Sequence, residues 1–485
     1  MDAARRSYLL AVVGARGLAF LRLFLVANIL GDAGRREFGT YQPALELINW
    51  LVPLAMLGLA DVAERYGKLL QSQNRLMQTM RTHVLRIFLI GSALGALLIA
   101  AGPWVVKFVW GGEVKSVGIV VACAGTMVML ALYQYVMALL RGLGRYSQVA
   151  LCEVLGAVGL LLFSCGGAYI GTASAMVWGY LLSVVLPSGV GFVALRTAQH
   201  SRPTVTVNAA PQFGHFAVWT LLRLLLTMTF GFLAVWGVNH IAKNAPSTIS
   251  VASSAMDQSA DFGLPLRIAQ LLGFLAVTVW ASAYGTAAAA WSHGRRKRAE
   301  LSLLRLGIRA CAALLVMANI ALWLRPVLMP LVPNSYHAAL EYLLPPLLAT
   351  FLWYGFLTLF AVLADLRETP QRGVYLWASA VVIQLALILS AHLWTNAPKG
   401  SSMAMVGAMS ISVLIVAPLL LWKPARLTKQ GLALAILALC PLAFLVESWA
   451  VNSLAGIITV AALAMVYSIG GFGTRKKHAP HQPPQ

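Results

Sequence analysis

Fourteen apolar segments, each close to the length of a membrane-spanning helix, run through this chain of 485 residues. About 20 residues of helix cross the hydrocarbon core of a bilayer. Hydropathy places the segments at 8–30, 43–60, 84–101, 117–140, 148–169, 174–195, 215–237, 262–290, 310–324, 342–364, 373–394, 403–421, 430–447 and 453–470. With 60% hydrophobic and 11% charged residues, the chain does not have the composition of a soluble protein. We predict an all-α polytopic membrane protein with about 14 transmembrane helices, whose short connections leave no room for a soluble catalytic domain.

The basic residues lie mainly in alternate connections between these segments, as the positive-inside rule describes. If the N-terminus is cytoplasmic, 25 of the 36 lysines and arginines fall on the cytoplasmic side, 7 on the other side and four inside the spans. A wrong helix count would reverse this asymmetry partway along the chain. We therefore expect both termini in the cytoplasm. The net charge of +21 does not indicate a nucleic-acid partner, because the basic residues are spread between apolar spans.

Cysteine and histidine usage predicts neither disulfides nor a metal site. The cysteines are Cys123, Cys152, Cys165, Cys311 and Cys440. All five lie in apolar segments without paired spacing, which is typical of small core residues. The nine histidines form no HxxxH or HExxH pattern, so we predict no cofactor. Arg5 and Arg6 could open a secretory signal peptide, but the long run that follows carries two arginines and lacks a clear cleavage site. We interpret it as an uncleaved first helix.

A short pattern recurs 224 residues apart and suggests an internal repeat. Residues 37–47 read EFGTYQPALEL and residues 261–271 read DFGLPLRIAQL, and each copy opens an even-numbered helix. Transporters often contain such repeats. We predict two six-helix lobes, helices 1–6 and 7–12, with two-fold pseudosymmetry and a C-terminal helix pair. The predicted limits are 1–197 and 198–422 for the lobes, 423–470 for the appended pair and 471–485 for a disordered cytoplasmic tail.

Charged residues inside the predicted spans are candidates for function, because charges are expensive in hydrocarbon. They are Arg16, Arg22, Arg223, Arg267, Glu46 and Glu153. Guanidinium groups bind phosphate oxygens through forked hydrogen bonds, so a water-filled cavity lined by the arginines would take an anionic ligand such as a pyrophosphate. We predict the four arginines as substrate-binding residues and the two glutamates as ion-coupling sites or charge partners. A purely structural role is the alternative for each, and it is strongest for Arg267, which is predicted near a helix end and could snorkel.

The stretch from Arg16 to Tyr66 resembles the polysaccharide flippases of the multidrug/oligosaccharidyl-lipid/polysaccharide exporter superfamily. The matching residues are Leu30-Gly31, EFGTY at 37–41, MLGLA at 56–60 and Arg65-Tyr66. Residues 262–290 and 352–389 look like further helices of the family, whereas the connection at 238–261 is longer and Ser-rich. The spacing of Arg16 and Arg22 is similar to helix 1 of the related lipid II flippases, in which such arginines line a cationic cavity.

The resemblance implies a two-lobed transporter whose central cavity faces alternate sides of the membrane. Family members move undecaprenyl-pyrophosphate-linked oligosaccharides outward across the bacterial cytoplasmic membrane. We therefore expect an inner-membrane flippase for an anionic lipid-linked oligosaccharide used in surface polysaccharide biosynthesis. The expected partners are this substrate, membrane lipids and other polysaccharide assembly proteins, and the expected state is a monomer.

Three alternatives to this function follow from the same sequence. A cation-coupled multidrug antiporter of the superfamily would need buried carboxylates, for which Glu153 is the deepest candidate. A lipid II flippase would use the same cationic cavity. A membrane enzyme, such as a glycan polymerase, would need an acid–base pair with a positioned nucleophile, and the long connection at 238–261 contains none. We therefore predict that the chain is not an enzyme.

Overall fold

The computed structural model describes residues 3–72, 75–114, 117–199, 213–244, 255–292, 294–367, 369–391, 400–421, 429–447 and 454–468. These residues are almost entirely helical. The helices are α1 Ala3–Leu30, α2 Arg35–Met56, α3 Leu59–Ser72, α4 Leu76–Ala100, α5 Gly102–Val109, α6 Gly118–Gly142, α7 Tyr146–Ile170, α8 Ala173–Gln199, α9 Phe213–Asn244, α10 Ala255–Ser292, α11 Arg296–Trp323, α12 Arg325–Leu328, α13 His337–Leu366, α14 Pro370–Leu389, α15 Gly400–Leu421, α16 Lys429–Leu439, α17 Leu442–Glu447 and α18 Leu454–Ser468. The predicted disordered tail at 471–485 lies outside these ranges.

Within the described ranges, ten helices are long and apolar enough to cross a membrane. Three shorter apolar stretches lie at Ser402–Leu414, Ala433–Leu445 and Ala455–Tyr467. The 22-residue α2 has the length of a span but contains two arginines and two glutamates. The predicted class, an all-α multi-pass membrane protein, is confirmed, while the number of spans is approximately the predicted 14.

The helix boundaries differ from the prediction at two informative places. The segment predicted at 430–447 is two helices, α16 and α17, with a turn at Cys440 and Pro441, because proline lacks an N–H and obstructs a continuous helix. Helix α10 begins at Ala255, seven residues before the predicted start at 262. A hydropathy scan does not detect this extension, because the first turns of α10 carry polar residues.

The second half of the bundle repeats the helix packing of the first half. Helix α2 packs against α6 as α10 packs against α13, and α1 packs against α7 as α9 packs against α14. The pairs α7 with α8 and α14 with α15 correspond in the same way. Helices α16, α17 and α18 follow, and α18 packs against α11. This arrangement follows the sequence repeat, and the domain limits at 197 and 422 stay predictions.

Two glycines at equivalent positions of the repeat let the halves approach closely. Helix α2 packs against both α9 and α10. A Cβ atom on Gly39 would collide with the carbonyl oxygen of Met256, and one on Gly263 would lie 2.6 Å from Cγ of Gln42. Because only glycine leaves this space, the crossing of α2 and α10 depends on both residues.

The long helices alternate in direction, so their ends define two faces of the bundle. We name the face at which α1 begins the N-terminal face and the face at which α1 ends the opposite face. Helices α2, α6, α10 and α13 begin at the opposite face and end at the N-terminal face. The polar contacts between the halves occur at three levels between these two faces.

Candidate functional site

Four buried polar side chains join α2 to α10 at the middle level, and we name them the middle cluster. They are Gln42, Glu46, Arg267 and Gln270. Arg267 forms an ion pair with Glu46 at 2.6 Å. It also donates from Nε to Gln42 Oε1 at 2.8 Å and from Nη1 to Gln270 Oε1 at 2.7 Å. The guanidinium of Arg267 is therefore balanced by a carboxylate from the other half of the bundle.

Arg267 lies far from the end of its helix. It is twelve residues into α10, which corresponds to about 18 Å from the first residue at 1.5 Å per residue. The expectation that Arg267 sits near a helix end and could snorkel is wrong, because α10 begins earlier than hydropathy indicates. Its place is at the contact between the halves, with Glu46 as its charge partner.

Arg22 lies at the contact of α1 with α2 and has a neutral partner. It is 7% exposed, its Nη1 donates to the Tyr41 hydroxyl at 3.1 Å, and its Cζ lies 6.0 Å from the centre of the Tyr41 ring. Among the described residues no acceptor reaches its buried Nε, and no carboxylate forms an ion pair with it. Arg16 lies six residues earlier in α1, and its side chain is outside the described part of the structure.

Five charged residues form a group near the N-terminal face, and we name them the N-face cluster. They are Asp61 and Glu64 of α3, Arg141 of α6, Arg223 of α9 and Asp365 of α13. Arg223 Nη1 pairs with Asp365 Oδ2, and Arg141 Nε pairs with Glu64 Oε2 at 2.9 Å. Arg223 and Asp365 both belong to the second half of the bundle, whereas Arg141 and Glu64 both belong to the first half.

Asp61 connects the two pairs across the halves. It is half-buried, it hydrogen-bonds the Thr220 side chain of α9, and its charge interacts with Arg223. Burial raises the pKa of Asp61 above its ordinary value, although the nearby Arg223 opposes that increase. The sequence-based inventory of membrane charges missed Asp61 and Asp365 because the predicted spans ended at 60 and 364, one residue before each acid. A search for charged residues within one helical turn beyond each predicted span would have found both acids.

Glu153 lies in α7, away from the middle cluster. It is half-buried, and its charge acts on Arg141 of α6. The predicted residues therefore fall into separate places: Arg267 with Glu46, Arg22 with Tyr41, and Arg223 in the N-face cluster. In the described part of the chain, no three or more His, Cys, Asp or Glu side chains are placed to hold a metal ion.

At the opposite face, an ion pair and a hydrogen bond cross between the halves. Arg35 of α2 pairs with Asp261 of α10. Arg36 lies 3.7 Å from Glu113, whose Oε1 accepts a hydrogen bond from the backbone N–H of Ala255 at 3.1 Å. With the middle and N-face clusters, these contacts bring the halves together at all three levels.

The same arrangement of helices occurs in solved transporter structures. A transporter of the MOP superfamily from Pyrococcus furiosus is 14% identical over 86% of this chain and 93% of its own, with a TM-score of 0.60. The chain has the fold of MOP superfamily transporters. An outward-facing multidrug resistance MATE family transporter of that superfamily is also 14% identical, over 87% of this chain and 93% of its own, with a TM-score of 0.60. An inward-facing MATE family transporter is 13% identical over 84% of this chain and 98% of its own, with a TM-score of 0.54.

Sequence comparisons add no narrower assignment to this fold. No protein-family model matches the chain, and no curated protein sequence matches it. At identities of 13–14%, the MOP likeness describes the arrangement of helices. These likenesses show the fold alone, and the predicted polysaccharide flippase function is taken up as a proposal.

Proposed function

We propose that this protein moves an anionic lipid-linked oligosaccharide, carried on a polyprenyl pyrophosphate, across the cytoplasmic membrane by alternating access. The observation that supports this proposal is Arg22, whose buried guanidinium bonds to the neutral Tyr41 hydroxyl and has no carboxylate partner among the described residues. An uncompensated cation in the membrane interior costs several kcal/mol. A phosphate group of the substrate would supply the compensating charge and accept hydrogen bonds from the guanidinium.

The polarity of the binding pocket distinguishes one of the transporters that share this fold. The Pyrococcus furiosus transporter is described as having a binding pocket of reverse polarity, which suggests a different function for it. In this chain the cationic candidate is Arg22 on α1, at the level where Tyr41 of α2 meets it. An anionic substrate fits that polarity, and a cationic drug does not.

The middle cluster offers a second cation once the halves separate. Movement of α2 away from α10 would break the ion pair between Glu46 and Arg267. A buried cation that loses its partner is strongly destabilised, so the open state favours an anion that replaces the carboxylate. In this mechanism the pyrophosphate takes the place of Glu46 at Arg267, while the lipid tail stays in the bilayer.

Flipping in proteoliposomes tests this function. The probe is a polyprenyl pyrophosphate that carries a fluorescent oligosaccharide, and an impermeant reductant quenches the copies exposed outside. We expect Arg22→Ala to lower the flipping rate by at least tenfold. Arg22→Lys should keep partial activity, because lysine keeps the positive charge but loses the forked hydrogen bonds of the guanidinium. Arg86→Ala is the matched control, since Arg86 is an exposed arginine on α4. Equal rates for Arg22→Ala and Arg86→Ala would contradict the proposal.

A cation-coupled multidrug antiporter is the second candidate function. It is favoured by the buried carboxylates Glu46 and Asp365 and by the multidrug MATE transporters that share the fold. Both carboxylates, however, are paired with arginines, which leaves them poorly placed to bind a cationic drug. A cationic-dye transport assay on the same proteoliposomes separates the two candidates.

A further inference from the structure

A cleft of about 390 Å³ lies at the opposite face, between α5 of the first half and α9 of the second half. Its walls include Trp104, Lys107 and Phe108 of α5 and Trp236, Asn239 and His240 of α9. Ligand sites are typically clefts of about 300–1,000 Å³ with mostly apolar walls and a few polar groups. The cleft has this size and composition, and its residues belong to none of the clusters described above.

The cleft lies at the level where two apolar helices end. Helix α4 ends at Ala100, and α5 begins two residues later at Gly102. In α9, Trp236 and His240 lie within the last two turns of the apolar stretch Val218–Ala242. Spanning helices end at the membrane–water interface, where tryptophan is enriched. A ligand in the cleft therefore meets water at one end and hydrocarbon at the other.

Aromatic rings from both halves form the apolar part of the cleft. The ring centres of Phe108 and Trp236 are 5.7 Å apart, and those of Trp236 and His240 are 4.7 Å apart, with the rings stacked in each pair. Trp104 is 77% exposed and Phe108 is 59% exposed. Such exposed rings at the interface provide a surface on which the first part of an acyl chain can pack.

Lys107 supplies the positive charge of the cleft. It is exposed, and in the described part of the chain no carboxylate forms an ion pair with it. Glu113, which follows the cleft in the chain, lies 3.7 Å from Arg36 and accepts a hydrogen bond from the N–H of Ala255. An ammonium group binds a phosphate as a point charge. A phosphate that carries acyl chains therefore matches both the charge and the aromatic wall.

Hydrogen bonds hold α5 against the second half and form the cleft in advance. Asn239 is buried, its Nδ2 donates to the carbonyl oxygen of Val109 at 3.1 Å, and its Oδ1 accepts from the Ser259 hydroxyl. Trp110 Nε1 donates to the carbonyl oxygen of Thr40 at 2.9 Å, which joins the same segment to α2. The cleft exists while these contacts last and loses one wall when α5 and α9 separate.

We propose that this cleft binds an anionic phospholipid from the leaflet at the opposite face, and that the bound lipid favours closure of the two halves there. The phosphate pairs with Lys107, and the upper acyl chain lies against Trp104 and Phe108. An anionic headgroup, unlike phosphocholine, brings no second cation near Lys107. Because each half supplies one wall, the closed conformation binds the lipid more tightly than an open one, and the lipid shifts the equilibrium toward closure.

Native mass spectrometry of the detergent-solubilised protein tests the binding. The probes are phosphatidylglycerol and phosphatidylcholine with the same acyl chains. We expect phosphatidylglycerol to bind more tightly, and Lys107→Met to weaken its binding about fivefold, because methionine keeps an apolar stem and removes the charge. Arg325→Gln is the matched control, since Arg325 lies at the same face near the exposed Trp323 and does not line the cleft. Equal affinities of Lys107→Met and Arg325→Gln for phosphatidylglycerol would overturn the proposal.

Two further comparisons identify which part of the lipid is recognised. Trp104→Ala should weaken the binding of both lipids, because it removes part of the aromatic wall, whereas Trp323→Ala should change neither. Inorganic phosphate at millimolar concentration should not displace phosphatidylglycerol, since it makes no contact with the aromatic rings. Displacement by phosphate would assign the cleft to a free anion and overturn the lipid assignment.

The effect on closure is measured with Ala260→Cys, because Ala260 is fully buried in α10. The half-buried Cys165 is replaced by serine, and the other four cysteines are buried. In lipid nanodiscs, a bulky maleimide should label the new cysteine more slowly in phosphatidylglycerol than in phosphatidylcholine, and Lys107→Met should remove most of that difference. Labelling rates that do not depend on the lipid would overturn the effect on closure. The inference goes beyond the proposed function, and because these measurements use no glycolipid, their failure leaves the flipping proposal untouched.

Discussion

Gln270 Nε2 donates a hydrogen bond to Glu46 Oε1 at 3.3 Å, although the two residues are 224 positions apart in the chain. The two copies of the sequence repeat are separated by the same 224 positions. Equivalent residues of two repeats can touch only where the pseudo-two-fold axis passes between them. The axis of the bundle therefore runs through the middle cluster, where α2 and α10 meet.

We expect the ion pair between Arg267 and Glu46 to contribute strongly to stability. Both side chains are buried, so Arg267→Gln or Glu46→Gln alone leaves a buried charge without its partner, at a cost of about 3–5 kcal/mol. The double variant should recover most of that loss, because neither charge is left behind. Chemical unfolding of the purified protein measures the free energies, and strictly additive effects in the double variant would contradict the pairing.

Gly39→Ala should weaken the contact of α2 with α10. The added methyl group would collide with the carbonyl oxygen of Met256, which is backbone and cannot rotate away, so we expect a loss of about 1–3 kcal/mol. Gly189→Ala in α8 is the control, because a Cβ there meets nothing within 4 Å. Thermal unfolding in detergent should show a lower Tm for Gly39→Ala and no decrease for Gly189→Ala. Equal Tm values for the two variants would contradict this prediction and show that α2 and α10 can shift to accommodate the methyl group.

Reversal of one charge at the opposite face should open that face. Arg35→Asp places a second carboxylate against Asp261 and replaces attraction with repulsion. A cysteine at Ala260, which is fully buried in α10, should then react faster with a bulky impermeant maleimide. The double variant Arg35→Asp with Asp261→Arg should restore slow labelling. Labelling that stays fast in the double variant would show that the pair does not hold the face closed.

The C-terminal helix α18 should be held to α11 by a buried hydrogen bond. Asn319 Nδ2 donates to Thr459 Oγ1 at 2.9 Å. Thr459→Val removes the acceptor and keeps the shape, so we expect a loss of about 1 kcal/mol, whereas Thr459→Ser should stay near the unmodified protein. Limited proteolysis should release the C-terminal segment sooner in Thr459→Val than in Thr459→Ser. Identical release in both would show that apolar packing alone fixes α18.

The helices and their order could be predicted because the length of each apolar segment can be read from the sequence. Each predicted span corresponds to a helix or to a pair of helices, and the repeat between 37–47 and 261–271 locates the crossing of α2 and α10. The start of α10 could not be predicted, since its first turns carry polar residues, among them Ser259, which donates to Asn239 of α9, and Asp261, which pairs with Arg35 of α2. The break at Pro441 divides a segment that is uniformly apolar, so hydropathy alone does not reveal it.

The charged residues could be named from the sequence, but their partners could not. Glu46 was a candidate charge partner with no defined arginine, and the structure pairs it with Arg267 from a helix more than 200 residues away. Asp61 and Asp365 were missed because each lies one residue beyond a predicted span. Pairing across the halves depends on the relative position of distant helices, which local patterns do not encode.

The most direct test of the proposed function compares two probes in the same proteoliposomes. One is a fluorescent polyprenyl pyrophosphate oligosaccharide, and the other is a cationic dye offered under an imposed pH gradient. If Arg22 without a carboxylate partner binds the substrate, the protein should move the anionic glycolipid and exclude the dye. Arg22→Ala should lower the rate of glycolipid movement at least tenfold. Accumulation of the dye without movement of the glycolipid would contradict the account.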